Sequence, residues 1–213
     1  MFRKYGTSSS SISFNPSTSK YSVNFAGKTI ETVVTDKAAT ADQWVSEIYQ
    51  IYGRSNSPVV VGLDIEWRPH PISYMSNKTA TLQLCIDDKC LIVQLFYVDE
   101  VPASLKDFLA DQQFIFVGVE VEGDITKLRN EYGLDVGKSA DLRELAKARW
   151  PGRFRRPGLK DLAADVASLN MAKPKHVSMS NWEARVLNEG QVEYACIDAY
   201  ASYKIGHKLI LEN

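Results

Sequence analysis

Two carboxylates stand one residue apart at the end of an apolar run, and this pair is the clearest candidate for chemistry in the chain. Residues 58–66 read Pro-Val-Val-Val-Gly-Leu-Asp-Ile-Glu, so the pair is Asp64 and Glu66. Side chains in a strand alternate between its two faces, which places both carboxylates on the same face, roughly 7 Å apart along the backbone. Like charges on one face of a mostly buried strand repel each other unless a cation lies between them. A divalent metal is the simplest such cation.

Two further acids, Asp124 and Asp198, stand in segments with helical patterns. Asp198 lies four residues after Tyr194, a spacing that puts the phenol and the carboxylate on one face of a helix, about one turn apart. Asp124 precedes apolar residues at helical spacing and is predicted to open a helix. Taken singly, Asp124 also fits an acid that favours a helix N-terminus, and Asp198 fits a solvated side chain. Taken with Asp64 and Glu66, they predict one acidic site.

The elements that must position these residues follow from the apolar pattern. Alternating β-branched and aromatic residues predict two hairpins, one at 21–25 and 28–35 and the other at 79–86 and 90–96. The apolar runs at 58–66 and 114–119 predict two more strands. Helical spacing predicts helices, the first capped by Thr40, at 40–52, 105–111, 124–132, 141–150, 159–169 and 189–211. This order predicts an α/β fold with a central mixed sheet, flanked by helices and preceded by an N-terminal β-hairpin.

The length and composition suit one domain. Of the 213 residues, 45% are hydrophobic, which is enough to bury one sizeable core. We expect this domain to span residues 21–213, after a serine-rich disordered tail at 1–20. An organelle transit peptide is the alternative for the tail, since the first acidic residue is Glu31. Because the sequence has neither a membrane-length apolar run nor an evident signal peptide, we expect a cytoplasmic or nuclear protein without a membrane partner.

Charge and cysteine content exclude further classes. A formal net charge of -1 argues against holding nucleic acid by bulk positive charge, although a local basic groove is compatible with it. The three cysteines are Cys85, Cys90 and Cys196, an odd number without C-x-x-C spacing. They predict neither a disulfide framework nor a zinc site. Reduced thiols in the core are the favoured interpretation, and they indicate a reducing compartment.

Three short motifs follow one another along the chain: Asp64-x-Glu66, Gly-Val-Glu-Val-Glu-Gly-Asp124 and Tyr194-x-x-x-Asp198. In order and spacing they resemble the motifs of the DEDDy (DnaQ-like) 3′-to-5′ exonucleases, on the ribonuclease H-like fold. The residues around them, including Asp-Ile-Glu-Trp, Ser-Asn-Trp and Tyr-Ala-x-x-Asp-Ala-Tyr, resemble the Werner-type branch in particular. The small size and the opening hairpin are similar to the plant Werner-like proteins that include the RISC-interacting clearing exoribonucleases.

The resemblance implies catalysis by two Mg²⁺ or Mn²⁺ ions, about 3.5 to 4 Å apart, that clamp the scissile phosphate. As in the family, Asp64 would bridge both ions. Glu66 and Asp198 would hold the ion on the nucleophile side, and Asp124 would bind the other. Tyr194 would orient the attacking water or accept its proton. Orientation is the favoured role, since an ordinary phenol pKa of about 10 makes it a poor base on its own. One departure is Glu120, where the Werner type is expected to have a small residue.

Contacts to the substrate are predicted for one tryptophan and one basic patch. Trp67, directly after the acid pair, is placed either to stack on a terminal base, worth about 1–3 kcal/mol, or to lie in the core. Arg153, Arg155 and Arg156 surround Phe154 in the only dense basic patch, which suits contacts to phosphates. A solvated loop is the alternative for this patch.

Together these features predict a metal-dependent 3′-to-5′ exonuclease that releases nucleoside monophosphates from single-stranded 3′ ends. The plant resemblance favours RNA, with DNA as the alternative, since no motif encodes contacts to a 2′-hydroxyl. A catalytically silent binding module on the same fold is a further alternative. The resemblance also raises a homo-oligomer and an RNA-silencing complex as partners, and the exposed hairpin is an edge that can pair with a neighbour.

Overall fold

The computed structural model describes residues 9–72 and 75–212 of the chain. Within these ranges the strands are β1 (Ser10–Asn15), β2 (Lys20–Phe25), β3 (Lys28–Thr35), β4 (Val59–Trp67), β5 (Thr79–Ile86), β6 (Lys89–Val93), β7 (Phe114–Gly118) and β8 (Ser139–Asp141). The helices are α1 (Ala38–Tyr52), α2 (Ala103–Ala110), α3 (Val121–Tyr132), α4 (Leu142–Arg149), α5 (Leu159–Ala167), α6 (Lys175–Ser178) and α7 (Glu189–Leu211).

All eight strands belong to one mixed sheet, in the order β1-β2-β3-β6-β5-β4-β7-β8. Strands β1, β2 and β3 pair antiparallel, and β3 then joins β6 in parallel. Strands β4, β5 and β6 pair antiparallel, while β7 and β8 continue from β4 in parallel. The prediction of a central mixed sheet flanked by helices is therefore confirmed. The N-terminal hairpin extends this same sheet.

Strand β4 lies inside the sheet and is covered on both faces. Val60 belongs to the hydrophobic cluster beneath α5 and α7, whereas Val61 and Leu63 belong to the cluster beneath α1, α2 and α3. Side chains alternate along the strand, so Asp64 and Glu66 share the face of Val60. The acid pair is thus turned toward α7.

Helix α7 packs directly onto the sheet, against β4, β5, β6 and β7. Glycines stand at two of the crossing points: Gly62 of β4 faces the backbone of Ala199, and Gly206 of α7 faces Val117 of β7. The absence of a Cβ at these positions lets backbones approach closely. These backbone contacts therefore set the distance between α7 and β4.

The start of the ordered chain differs from the prediction. Residues 1–20 were expected to be a disordered tail, but β1 and the turn before β2 lie within them. The prediction is wrong for this part of the tail, and residues 1–8 lie outside the described range. Strand β1 is mostly exposed and has only two apolar residues, Ile12 and Phe14, so its alternation is too short to mark a strand within a serine-rich segment.

Two helix starts also differ from the predictions. Helix α1 begins at Ala38 with Lys37 at the N-cap position, so Thr40 lies inside the helix. Helix α3 begins at Val121, which puts Asp124 in the first helical turn and not at its opening. Its N-cap residue is Glu120, in the left-handed conformation with φ of 59°.

The three cysteines are buried and free, as predicted. Cys85 and Cys90 face each other across β5 and β6. Cys196 of α7 accepts a hydrogen bond from the Thr32 hydroxyl, with 3.2 Å between oxygen and sulfur. The thiols therefore belong to the packing between sheet and helix. None of the helices in the described ranges is both long and apolar enough to cross a membrane.

Candidate active site and metal centre

The end of β4 places the acid pair at the edge of the core. Val59 to Leu63 are buried, and the strand becomes partly exposed from Asp64 onward. A register shift relative to β5 follows between Glu66 and Trp67. This irregularity ends regular pairing directly after the second acid, so both carboxylates reach the surface from a rigid strand.

Helix α7 supplies the second half of the site. Tyr194 and Asp198 lie four residues apart and share one face of the helix, as predicted. The helix start is fixed by a capping box, in which Asn188 accepts from the Gln191 amide and the Gln191 side chain accepts from the Asn188 amide. Its position is fixed further by Trp182, which is buried and lies 6.0 Å from the Tyr194 ring, centroid to centroid.

The structure brings three of the four predicted acids together. Carboxylate oxygens of Asp64, Glu66 and Asp198 all lie within 4.8 Å of one another. Asp198 is only 2% exposed, which leaves it little water with which to stabilise its charge. The strand pair and the helix acid, far apart in sequence, thus form one oxygen cluster.

Asp124 approaches this cluster without joining it. Among the described residues, the group that meets within 4.8 Å contains the other three acids alone. The charge of Asp124 nevertheless raises the pKa of both Asp64 and Glu66, so its carboxylate lies within electrostatic range of the cluster. Its place in the first turn of α3 suits a negative side chain, because the helix N-terminus carries partial positive charge.

Burial raises the pKa of every acid of the site, and repulsion from neighbouring carboxylates adds to it at Asp64, Glu66 and Asp124. Burial, followed by the charges of Asp198 and Asp124, raises the pKa of Asp64 well above its ordinary value. Burial and the Asp64 charge raise the pKa of Glu66 to about 10. For Asp124, burial and the nearby Glu120 raise the pKa to about 7. Such shifts mean that the site favours whatever cation or proton relieves its negative charge.

One cation relieving that charge is Lys173, which the sequence did not single out. Its Nζ lies 2.6 Å from Oδ2 of Asp198 and 5.5 Å from the Tyr194 ring centroid. Burial lowers the pKa of this lysine, but the charges of Asp198 and Asp64 outweigh burial and raise it overall. Lys173 lies in the irregular segment between α5 and α6, where no periodic pattern marks a side chain as inward-facing.

Tyr194 faces the acid cluster. Its side chain is 8% exposed, and the phenol and the Asp198 carboxylate influence each other's pKa. Burial, followed by the Asp198 charge, raises the phenol pKa above its ordinary value. The phenol can donate or accept a hydrogen bond, which suits it to orient a water molecule.

Glu120 lies beside Asp124 and pairs with two arginines. Its Oε1 accepts from Arg143 and, at 3.2 Å, from Nη2 of Arg156. Arg143 also donates to the carbonyl oxygen of Pro157, at 2.7 Å. Hydrogen bonds from Arg143 and Arg156 lower the pKa of Glu120. Glu120 thus carries its charge at neutral pH and links α3 to the basic segment before α5.

The residues predicted to contact the substrate differ in their exposure and in their partners. Trp67 is half-buried, and Lys127 lies over its ring, 5.1 Å from the centroid. Phe154 is also half-buried and packs against the core. Arg153 pairs with Asp165 at 3.6 Å and stacks on Phe154, whereas Arg155 is exposed. Of the patch, Arg156 is the member that approaches the site, because it pairs with Glu120 beside Asp124.

The donor set of the cluster fits a hard divalent cation. Its three members offer carboxylate oxygens and no sulfur or imidazole, which is the ligand chemistry of Mg²⁺ and Mn²⁺. The acids also raise one another's pKa, because their negative charges repel each other. A cation bound between them would remove this repulsion and stabilise the fold. The residues present therefore suit the metal that the sequence motifs predict.

These features agree with comparisons with known proteins. Residues 28–212 match the family described as 3′-5′ exonuclease, and the chain belongs to that family. An Arabidopsis thaliana 3′-5′ exonuclease is 35% identical over 147 residues, which cover 68% of this chain and 50% of the relative. The mouse bifunctional 3′-5′ exonuclease/ATP-dependent helicase WRN is 30% identical over 157 residues, covering 70% of this chain and 11% of that protein. The chain thus spans half or less of the length of these two relatives.

Solved structures confirm the fold. Escherichia coli RNase D, described as an exoribonuclease involved in structured RNA processing, superposes with a TM-score of 0.69 at 20% identity, over 84% of this chain and 44% of that one. The EXD2 exonuclease domain, soaked in Mg and GMP, superposes with a TM-score of 0.50 at 29% identity, over 84% of this chain and 89% of that one. The mixed sheet flanked by helices is thus the ribonuclease H-like fold of exonuclease domains.

Proposed function

We propose that this protein is a metal-dependent 3′-to-5′ exonuclease that hydrolyses single-stranded nucleic acid and releases nucleoside monophosphates. The observation that carries the proposal is the oxygen cluster of Asp64, Glu66 and Asp198, assembled within 4.8 Å from a core strand and a core helix. Membership of the 3′-5′ exonuclease family supports it.

Four acids are proposed to hold the metal. Asp64, Glu66 and Asp198 form the main site, and Asp124 completes it from the first turn of α3. Two Mg²⁺ or Mn²⁺ ions bound there would supply the charge that activates water and stabilises the leaving 3′ oxygen. The protein fixes the ligands beforehand, since β4 and α7 are held by core packing.

Tyr194 is proposed to orient the attacking water. Its phenol can donate a hydrogen bond to the water oxygen or accept one from a water hydrogen, and either contact fixes the direction of attack. Its ring is fixed against Trp182 at 6.0 Å, which holds the hydroxyl at the edge of the cluster. Positioning of this kind can contribute a large share of a rate enhancement because a small misplacement of the nucleophile is costly.

RNA is the proposed substrate, with DNA as the second candidate. The resemblance to plant Werner-like proteins supports RNA. The arginines near Asp124 suit the backbone of either polymer. Homo-oligomerisation, through the exposed edge of the N-terminal hairpin, and a role in RNA silencing belong to the same proposal and follow from the plant resemblance.

A nuclease assay on labelled oligonucleotides tests the function. Purified protein is incubated with 5′-labelled single-stranded RNA and, separately, DNA of the same sequence, first with Mg²⁺ and then with excess EDTA. We expect a ladder of products shortened from the 3′ end, faster on RNA, and no shortening in EDTA. Full-length substrate in every lane would instead support the catalytically silent module, and equal rates on both polymers would remove the RNA preference.

A further inference from the structure

Lys173 forms a salt bridge with Asp198, one of the acids proposed to bind the metal. Its ammonium lies 2.6 Å from Oδ2 of Asp198, and the two side chains are 32% and 3% exposed. Among the described residues, no other basic side chain forms a salt bridge with Asp64, Glu66 or Asp198. Lys173 is therefore the counter-charge of the cluster when no metal is bound.

The environment of the ammonium is polar and negative on the side of the cluster. Oxygens of three carboxylates meet there within 4.8 Å, and the face of the Tyr194 ring lies 5.5 Å away. Both the carboxylates and the aromatic face attract a cation. A divalent ion that takes Asp198 as a ligand meets a positive charge already bound to the same carboxylate, and the two cations repel each other.

The position of Lys173 in the chain permits it to leave. It lies between α5 and α6, outside any helix or strand, on a flexible stem of four carbons. Asp198, by contrast, is fixed inside α7 and is 2% exposed. When a metal arrives, the element free to move is the lysine.

We propose that Lys173 is an internal cation that holds the acid cluster together in the metal-free protein and is displaced from Asp198 when a divalent metal binds. The inference depends on the proposed metal site. It makes Lys173 a positioning residue that exchanges with the metal. Lys173 stabilises the empty site and weakens metal binding by competing for Asp198.

Two measurements on the variant K173M separate these effects. In EDTA, K173M is expected to melt at a lower temperature than the wild type, because three carboxylates have lost their counter-charge. In a calorimetric titration with Mn²⁺ alone, K173M is expected to bind on the order of tenfold more tightly, because no ammonium has to be displaced. At saturating Mn²⁺ the two proteins are expected to melt at similar temperatures, which also verifies that the variant folds.

Two further variants serve as controls. Lys175, two residues further on, is exposed and pairs with none of the cluster acids in the described part of the chain. K175M therefore removes the same charge nearby and is expected to change neither quantity. K173R retains a cation at the position and is expected to restore most of the stability in EDTA. Equal melting in EDTA together with equal or weaker Mn²⁺ binding by K173M would overturn the inference while leaving the metal site intact. Failure of the wild type to bind Mn²⁺ would overturn the metal site and this inference with it.

Discussion

Gly62 of β4 lies directly against the backbone of Ala199, the residue after Asp198. A Cβ at Gly62 would overlap the Ala199 carbonyl oxygen and would lie 2.6 Å from the amide nitrogen of Tyr203. The close approach brings the strand that carries Asp64 to the helix that carries Asp198 without an intervening side chain. The acid cluster therefore depends on a glycine two residues before its first member.

Replacing this glycine should destabilise the whole fold. We expect G62A to lower the free energy of unfolding by about 1–3 kcal/mol or more, because backbone atoms cannot yield as a flexible side chain would. Urea denaturation followed by circular dichroism measures the change. As a matched control, G123A adds a methyl group at a helical glycine with nothing within 4 Å, and should be neutral or stabilising by up to about 1 kcal/mol. Unchanged stability of G62A would contradict the close packing described.

Neutralising Asp64 should lower the nuclease activity without lowering the stability of the metal-free protein. We expect D64N to lower the rate of nucleotide release on the order of a hundredfold or more, since it removes a proposed metal ligand. In EDTA the same variant should melt at the same or a higher temperature, because the repulsion that Asp64 shares with Asp198 and Asp124 is removed. A nuclease assay and a thermal melt provide the two readouts. A D64N protein with wild-type activity would remove Asp64 from the site.

Removing the Tyr194 hydroxyl should affect turnover and not metal binding. We expect Y194F to reduce kcat by roughly tenfold to a hundredfold, because the attacking water loses its orienting partner. The Kd for Mn²⁺ should stay within about twofold of the wild-type value, since the phenol is not a proposed ligand. Single-turnover kinetics and calorimetry measure these quantities. A large change in metal affinity with kcat intact would assign the phenol to the metal instead.

The acids should make the metal-free protein less stable as the pH rises. Folding raises the pKa of Asp124 to about 7 and that of Glu66 to about 10, whereas carboxyls in the unfolded chain titrate near 4, as a rough figure. Between these values the folded state retains protons that the unfolded state has released, so each rise in pH favours unfolding. We expect the melting temperature in EDTA to fall from about pH 5 to about pH 9.

Divalent metal should reverse this trend. Mn²⁺ binds the deprotonated acids, so the stabilisation that it adds should increase over the same pH interval. Melting curves with and without Mn²⁺ at each pH measure the difference. The opposite result, a metal-free protein that becomes more stable as the pH rises, would contradict the repulsion among these acids.

Freeing the arginines near Asp124 should strengthen binding to nucleic acid. Glu120 pairs with Arg143 and Arg156, so E120Q leaves both guanidinium groups available to phosphates. We expect E120Q to bind single-stranded RNA more tightly in EDTA, and R156A more weakly, with a salt dependence that is shallower by about 0.7 per lost phosphate contact. Fluorescence anisotropy at several salt concentrations measures both. E100Q changes the same charge at an exposed acid outside the patch and should have little effect.

Local patterns were sufficient to predict much of the candidate site. Strand alternation put Asp64 and Glu66 on one face, and helical spacing did the same for Tyr194 and Asp198; the structure bears out both. The role of Lys173 could not be predicted, because it lies in an irregular segment where no periodic pattern shows which way a side chain points. The parallel pairing of β3 with β6 could not be predicted either, since pairing between strands that are distant in sequence depends on tertiary packing.

The two halves of the site differ in how firmly the fold holds them. Ile65 and Ala199 belong to a central strand and a core helix, and their amide hydrogens should exchange with deuterium only when the whole fold opens. Those of 172 and 173 lie in an exposed connection and should exchange through local opening. The ligands are thus built into the slowest-exchanging part of the molecule, whereas the lysine that neutralises them is attached to one of the fastest.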